Sequence, residues 1–160
     1  MKRLIFFLII AISSSAISKE KIAVLPFSNF DGDLKHAVWC YDLQDSLYKA
    51  MKEADPNGEL FELIPIEEIE DALAELNVDP TNPQYKSDMW KAAKQLGATQ
   101  VVSGNFNFQA SKYLINAYIY DTRFKFPDPK YQAKDIFKAE ESIYESIEII
   151  LEALLPKWKS

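Results

Sequence analysis

Cysteine and histidine are almost missing from the sequence: its 160 residues hold one of each, Cys40 and His36. A lone thiol cannot close an intramolecular bridge, so a disulfide framework is excluded, and the pair is too small a donor set for a structural zinc site. Glycine is scarce, with four residues. Neither Gly-x-Gly-x-x-Gly nor the Walker pattern occurs, which removes the usual cradle for nucleotide phosphates. No serine or cysteine stands in a Gly-x-Ser-x-Gly elbow, so no catalytic triad can be assembled. Positive charge is outnumbered, 18 Lys and Arg against 24 Asp and Glu, for a net charge of −6. Nucleic acid and other polyanionic partners are thereby excluded. No stretch of 18 apolar residues follows the N-terminal segment, so no integral membrane span is expected in the mature chain.

The first residues have the three parts of an export signal. Lys2 and Arg3 form a positive start, Leu4 to Ile12 an apolar core, and Ser13 to Ser18 a small, polar end. The apolar core is about half the ~20 residues that span a bilayer, so the segment reads as a secretory signal peptide over residues 1–18, cleaved after Ser18. No cysteine is placed to accept a lipid at the new N-terminus. A single domain over residues 19–160 remains, located in the periplasm or, in a host with one membrane, outside the cell. Its apolar content, 48% of the sequence, suffices for a full hydrophobic core.

Lys21 to Phe27 is a short apolar run rich in branched residues, the pattern of a strand buried on both faces. Pro26 marks its end, and Asn29, Asp31, Gly32 and Asp33 make a turn. From Leu34 to Ala54, Cys40, Leu43, Leu47, Ala50, Met51 and Ala54 recur at helical spacing behind an Asp33 cap. Asp55-Pro56-Asn57-Gly58 stops the helix, and Leu60 to Ile64 gives a second strand. A helix then starts at Pro65, with Ile66, Ile69, Leu73 and Leu76 as its buried stripe. Asn77 to Lys86 is a loop, after which Ser87 caps a helix burying Met89, Ala92, Ala93 and Leu96, and Gly97 ends it. Thr99 to Phe108 and Ser111 to Tyr120 form a hairpin through Gln109-Ala110, the second strand carrying Tyr113, Ile115, Ala117 and Ile119 on one face. Pro127-Asp128-Pro129 predicts a turn before a strand at Tyr131 to Phe137. The last helix has Ser142 and Glu145 as a capping box and stops at Pro156. The class is α/β: one mixed sheet of about five strands packed against about four helices.

Few residues offer chemistry. His36 and Cys40 could share a helix turn, but the spacing reads first as a surface histidine beside a core thiol. Asp31-Gly32-Asp33 reads as a turn with a helix cap, because the other ligands of a calcium loop are missing. The acids Glu67, Glu68, Glu70 and Asp71, and Glu140, Glu141, Glu145, Glu148 and Glu152, fall at the spacing of solvated helix faces. No catalytic residue, cofactor site or metal site is therefore assigned. Aromatics are the exception. Tyr113, Tyr118, Tyr120, Phe124, Phe126 and Tyr131 crowd the hairpin and the turn after it, and such residues favour partner interfaces, with ordinary core packing as the alternative.

Lys21 to Phe27 with its turn, the helical Asp42-Leu43-Gln44-Asp45-Ser46-Leu47, and Ala93 to Phe106 occur in the order that resembles the TolB amino-terminal-domain-like family of bacterial envelope proteins. Leu114 to Thr122 is similar to the family strand that ends in an Asp-Ala/Thr-x-x-Gly turn, except that Arg123-Phe124-Lys125-Phe126 replaces the glycine. The resemblance implies a small α/β sandwich without catalytic residues that binds other envelope proteins. Relatives of that fold include LpoB-type activators of peptidoglycan synthases, FlgO-type flagellar accessory proteins and the soluble part of CsgG-like channels. The expected function is a non-catalytic periplasmic adaptor or accessory subunit binding an envelope protein. A small-ligand carrier and a periplasmic hydrolase are the alternatives.

Overall fold

A computed structural model describes residues 19–160. The export signal expected over residues 1–18 lies outside the described residues. Among the described residues six strands form one sheet: β1 (Glu20–Val24), β2 (Ser28–Asn29), β3 (Phe61–Leu63), β4 (Gln100–Gln109), β5 (Lys112–Asp121) and β6 (Pro127–Lys138). The spatial order is β3-β1-β4-β5-β6, with β2 also pairing on β4. β1 runs parallel to both β3 and β4, and β4, β5 and β6 form an antiparallel meander. The mixed sheet expected from the alternation of elements is present.

The helices are α1 (Trp39–Ala54), α2 (Ile66–Ala74), α3 (Tyr85–Gln95), α4 (Ser146–Leu154) and the short α5 (Pro156–Lys159). They form two layers. On one face α1 and α4 cover the sheet with Leu43, Leu47, Met51, Ile147, Ile150 and Leu154, packed on Ile22, Val24, Val102, Phe106 and Ile115. On the other, α2 and α3 place Ile69, Leu73, Met89, Ala92 and Ala93 against Ala23, Leu25 and Val101. Because β1 sends alternate residues into both clusters, Ile22, Ala23 and Val24 are all fully buried, as a continuous apolar run requires. Gly104 is where β4 lets Phe27 approach. A Cβ built there would lie 2.2 Å from the Phe27 ring and 2.3 Å from the Asn116 carbonyl oxygen.

Several element ends differ from the sequence expectation. Asp33 caps a 3-10 turn at Leu34–His36, accepting from the Lys35 N–H, and α1 begins only at Trp39. α2 stops at Ala74, so Leu76 falls past the buried stripe and is exposed. Ser87 lies inside α3, which starts at Tyr85 behind Gln84 with no side-chain cap, after a turn in which the Asn82 side chain accepts from the Gln84 N–H. The hairpin loop is Ala110-Ser111, one residue later than expected. Pro127 and Pro129 belong to β6 rather than to a turn; an edge strand tolerates residues that cannot donate. Ser142 and Glu145 sit in a 3-10 segment, Glu140–Glu145, with Ser142 off helical geometry, so no capping box forms. Pro156 opens α5, where a first-turn proline needs no donor.

Candidate functional site

The two layers are unequal, and the site follows from that. α4 reaches β5 and β6, but the opposite cluster extends no further than Val101 of β4 and the edge of Tyr120 of β5. Beyond those residues no helix among the described residues covers the sheet face. Alternation puts Ser103, Asn105 and Asn107 of β4 beside Tyr118, Asn116 and Leu114 of β5 on this face, each of them half-buried and none charged. Asn116 ties its middle together. Its Nδ2 donates to Asn105 Oδ1 at 3.1 Å, and its Oδ1 accepts from the Asp135 backbone N–H at 2.9 Å. Asp135 has a φ of 59° within the irregular pairing of β5 and β6, so the asparagine satisfies a backbone group that the ladder leaves out.

At one end the face becomes aromatic. Tyr118 and Tyr120 have ring centroids 5.9 Å apart, and Trp90 of α3 meets Tyr120 edge-on at 5.5 Å. The adjoining β5–β6 turn is held by Asp121, whose carboxylate accepts from the Arg123 and Phe124 N–H groups and pairs with the Arg123 guanidinium at 3.0 Å. The Arg123 side-chain bond holds the Asp121 carboxyl below the usual carboxylate range. Without the expected glycine, the turn places Lys125 at a φ of 57°, and the Lys125 ammonium lies 5.6 Å from the Trp90 ring. Phe124 and Phe126 project from it, 65% and 73% exposed.

The six aromatic candidates therefore divide. Tyr118, Tyr120, Phe124 and Phe126 lie on the open face or at its rim. Tyr113 is on the reverse face, 7% exposed, with its ring 4.9 Å from Trp39. Tyr131 is half-buried against the α1–α4 core, with Lys130 over its ring at 4.8 Å. Trp90, Leu114 and Phe137, which lies opposite Leu114 on β6, complete the open face and were not singled out from sequence. Leu114 and Phe137 each lie in an alternating run, but which alternate residues lack a helix depends on where α2 and α3 end.

His36 is not a surface residue. Its ring is buried, 3.2 Å from the Tyr113 hydroxyl, with Asp33 at 3.3 Å on Nδ1 and Glu140 at 3.6 Å on Nε2. The 3-10 geometry before α1 points it at these groups and across Trp39, at 4.2 Å between centroids. The imidazole thus links the approach to α1 with the approach to α4. Cys40 is half-buried, and burial pushes its thiol up, which is the reverse of nucleophile activation. No group of three or more His, Cys, Asp or Glu side chains among the described residues could hold a metal ion. No helix of the described residues is long and apolar enough to cross a membrane.

No protein-family profile and no curated protein matches the sequence. Solved structures do match. The C-terminal domain of LpoB from Salmonella enterica aligns with a TM-score of 0.54 at 16% identity, over 79% of this chain and 87% of that one. Lipoprotein GNA1162 from Neisseria meningitidis aligns with a TM-score of 0.53 at 14% identity, over 86% and 94%. LpoB from Escherichia coli aligns with a TM-score of 0.50 at 15% identity, over 75% of this chain and 58% of that one. The fold is the LpoB-like fold that the sequence resemblance implied.

Proposed function

We propose that this chain is a non-catalytic accessory protein of the bacterial cell envelope, working in the periplasm, and that it binds another envelope protein through the open face of β4 and β5 and the aromatic turn beside it. One observation carries the reading: the β4–β5 stretch of one sheet face has no helix of the described residues over it, presents Ser103, Asn105, Asn107, Leu114, Asn116 and Tyr118 without a charge among them, and ends in Tyr118, Tyr120, Phe124 and Phe126. Aromatics beside satisfied polar groups are the composition of protein-binding patches. The fold is shared with LpoB and with a lipoprotein, which supports an envelope setting, as does the export signal read from residues 1–18.

The face is a better docking surface than the sheet edges. β6 carries Pro127, Pro129, Lys130, Lys134 and the positive-φ Asp135, all devices that discourage strand addition. The other edge, β3, is only three residues long.

The test is capture from crosslinked envelopes of the host with the tagged mature chain and with a Tyr118→Ala/Phe126→Ala variant whose fold is checked by circular dichroism. A hot-spot pair of this kind is worth about 2 kcal/mol or more, so retention of the partner should fall roughly thirtyfold. Equal retention by a folded variant would sink the assignment of this face.

A further inference from the structure

A second concavity, sharing none of the open-face residues, lies off the carboxyl end of β1. It has a volume of about 470 Å³ and is bounded by the β1–β2 link, the approach to α1, and the α2–α3 loop with the first turn of α3. From β1 the chain crosses one face by α1 to reach β3, and from β3 it crosses the other face by α2 and α3 to reach β4 on the far side of β1. The crossovers diverge at β1. Crevices at such switch points, beyond the carboxyl ends of parallel strands, are where open α/β sheets take ligands, and the volume falls in the usual range of small-molecule sites, roughly 300–1,000 Å³.

Its lining has an apolar floor and one free positive charge. Phe27 and Met89 are buried beneath it, and Leu34 stands on the rim at 88% exposure. Lys86 Nζ donates to Ser28 Oγ at 3.0 Å and forms no ion pair among the described residues. The first residues of α1 and of α3 also border the cleft, and both helix dipoles direct positive potential into it. The one carboxylate in the lining, Asp33, is already engaged: it accepts from the Lys35 N–H at 2.9 Å and lies 3.3 Å from His36 Nδ1.

We propose that this cleft binds a small monocarboxylic acid with an apolar body, the carboxylate on Lys86 and Ser28 and the apolar part over Phe27, Met89 and Leu34. Calorimetry with octanoate, octanol and octylamine on the mature chain tests it. Octanoate should bind more tightly than octanol by about tenfold, the worth of a charge-assisted hydrogen bond, and octylamine more weakly than either. Lys86 is exposed, so Lys86→Met should fold normally, bind octanoate no better than octanol and leave octanol binding unchanged, while Lys86→Arg keeps the preference. Acetyl-dileucine, titrated in parallel, presents the same group as a peptide carboxyl terminus. Binding of either acid that depends on Lys86 supports the site and tells a free acid from a chain end. If neither acid binds more tightly than octanol, or if acid binding is untouched by Lys86→Met, the proposal is overturned.

Discussion

Asp55 joins two elements with one side chain. It ends α1, and its carboxylate accepts from the backbone N–H groups of Glu59 and Leu60, each at 2.8 Å, and of Phe61 at 3.1 Å. Burial opposes the charge, but the three N–H donors outweigh it, and the carboxyl is held below its ordinary value. A depressed folded value means that the stabilisation is fully present above the unfolded carboxylate pKa, about 3.9, and is lost as pH falls through the folded one. Asp55→Ala strands three donors and should cost about 2 kcal/mol at neutral pH. Urea unfolding should show that gap closing below about pH 4, since protonation disarms the wild-type carboxylate too. A gap independent of pH would mean that the side chain matters for packing instead. From sequence, Asp55-Pro56-Asn57-Gly58 is legible as a helix stop, because turn formers cluster there. That the aspartate reaches forward to fix the start of β3 is not, since local preference does not reveal which N–H groups lack partners. His36 escaped for the same reason: the spacing gives its place on the chain but not the Tyr113, Asp33 and Glu140 groups that bury it.

Among the elements, the β4–β5 hairpin is built on a turn its residues do not favour. Ala110 and Ser111 have φ values of 52° and 64° in a two-residue loop between Gln109 and Lys112. Positive φ at both positions marks the primed turn that suits the twist of the strands, for which Asn-Gly is the favoured pair. Alanine and serine pay a left-handed penalty there that the pairing of two ten-residue strands must offset. Ala110→Asn/Ser111→Gly should therefore stabilise the chain by about 1 kcal/mol and raise Tm by roughly 3 °C in a thermal melt. An unchanged or lower Tm would show that the strained turn is not what limits the hairpin. The strands themselves are plain in the sequence, since Tyr113, Ile115, Ala117 and Ile119 alternate and all four are buried. The loop is offset by a residue because Ala-Ser carries no turn signature. In the sequence β6 looks short because its prolines resemble a turn, and only the sheet order, which puts β6 at an edge, makes them acceptable strand residues.

For the molecule as a whole, the unequal layers imply unequal stability. The α1–α4 side buries large aliphatic and aromatic residues such as Leu43, Leu47, Phe61, Phe106, Ile150 and Trp158. The α2–α3 side is the smaller cluster, with Leu25, Ile64, Ile69, Leu73, Met89 and Val101 beside the four alanines Ala23, Ala92, Ala93 and Ala98 and no fully buried aromatic. Burial energy scales with apolar area, so the α2–α3 layer should open as a sub-global unit below the free energy of global unfolding. Native-state hydrogen exchange should show the α2 and α3 amides exchanging sooner than those of α1, α4, β4 and β5. Met89→Ala, costing about 2–3 kcal/mol, should widen that difference without accelerating α1 or α4. Amides of α3 as protected as those of β5 would instead make the whole domain one cooperative unit. The two proposed surfaces draw on the layers unequally, although Trp90 of α3 also borders the open face. Tyr118, Phe124 and Phe126 are held by β5 and its turn, which the α1–α4 layer supports, whereas the cleft takes Tyr85, Lys86 and Met89 from α3. Met89→Ala should therefore weaken octanoate binding while partner capture by the open face largely persists. Loss of both together would mean that the sheet does not hold the face once the thinner layer opens.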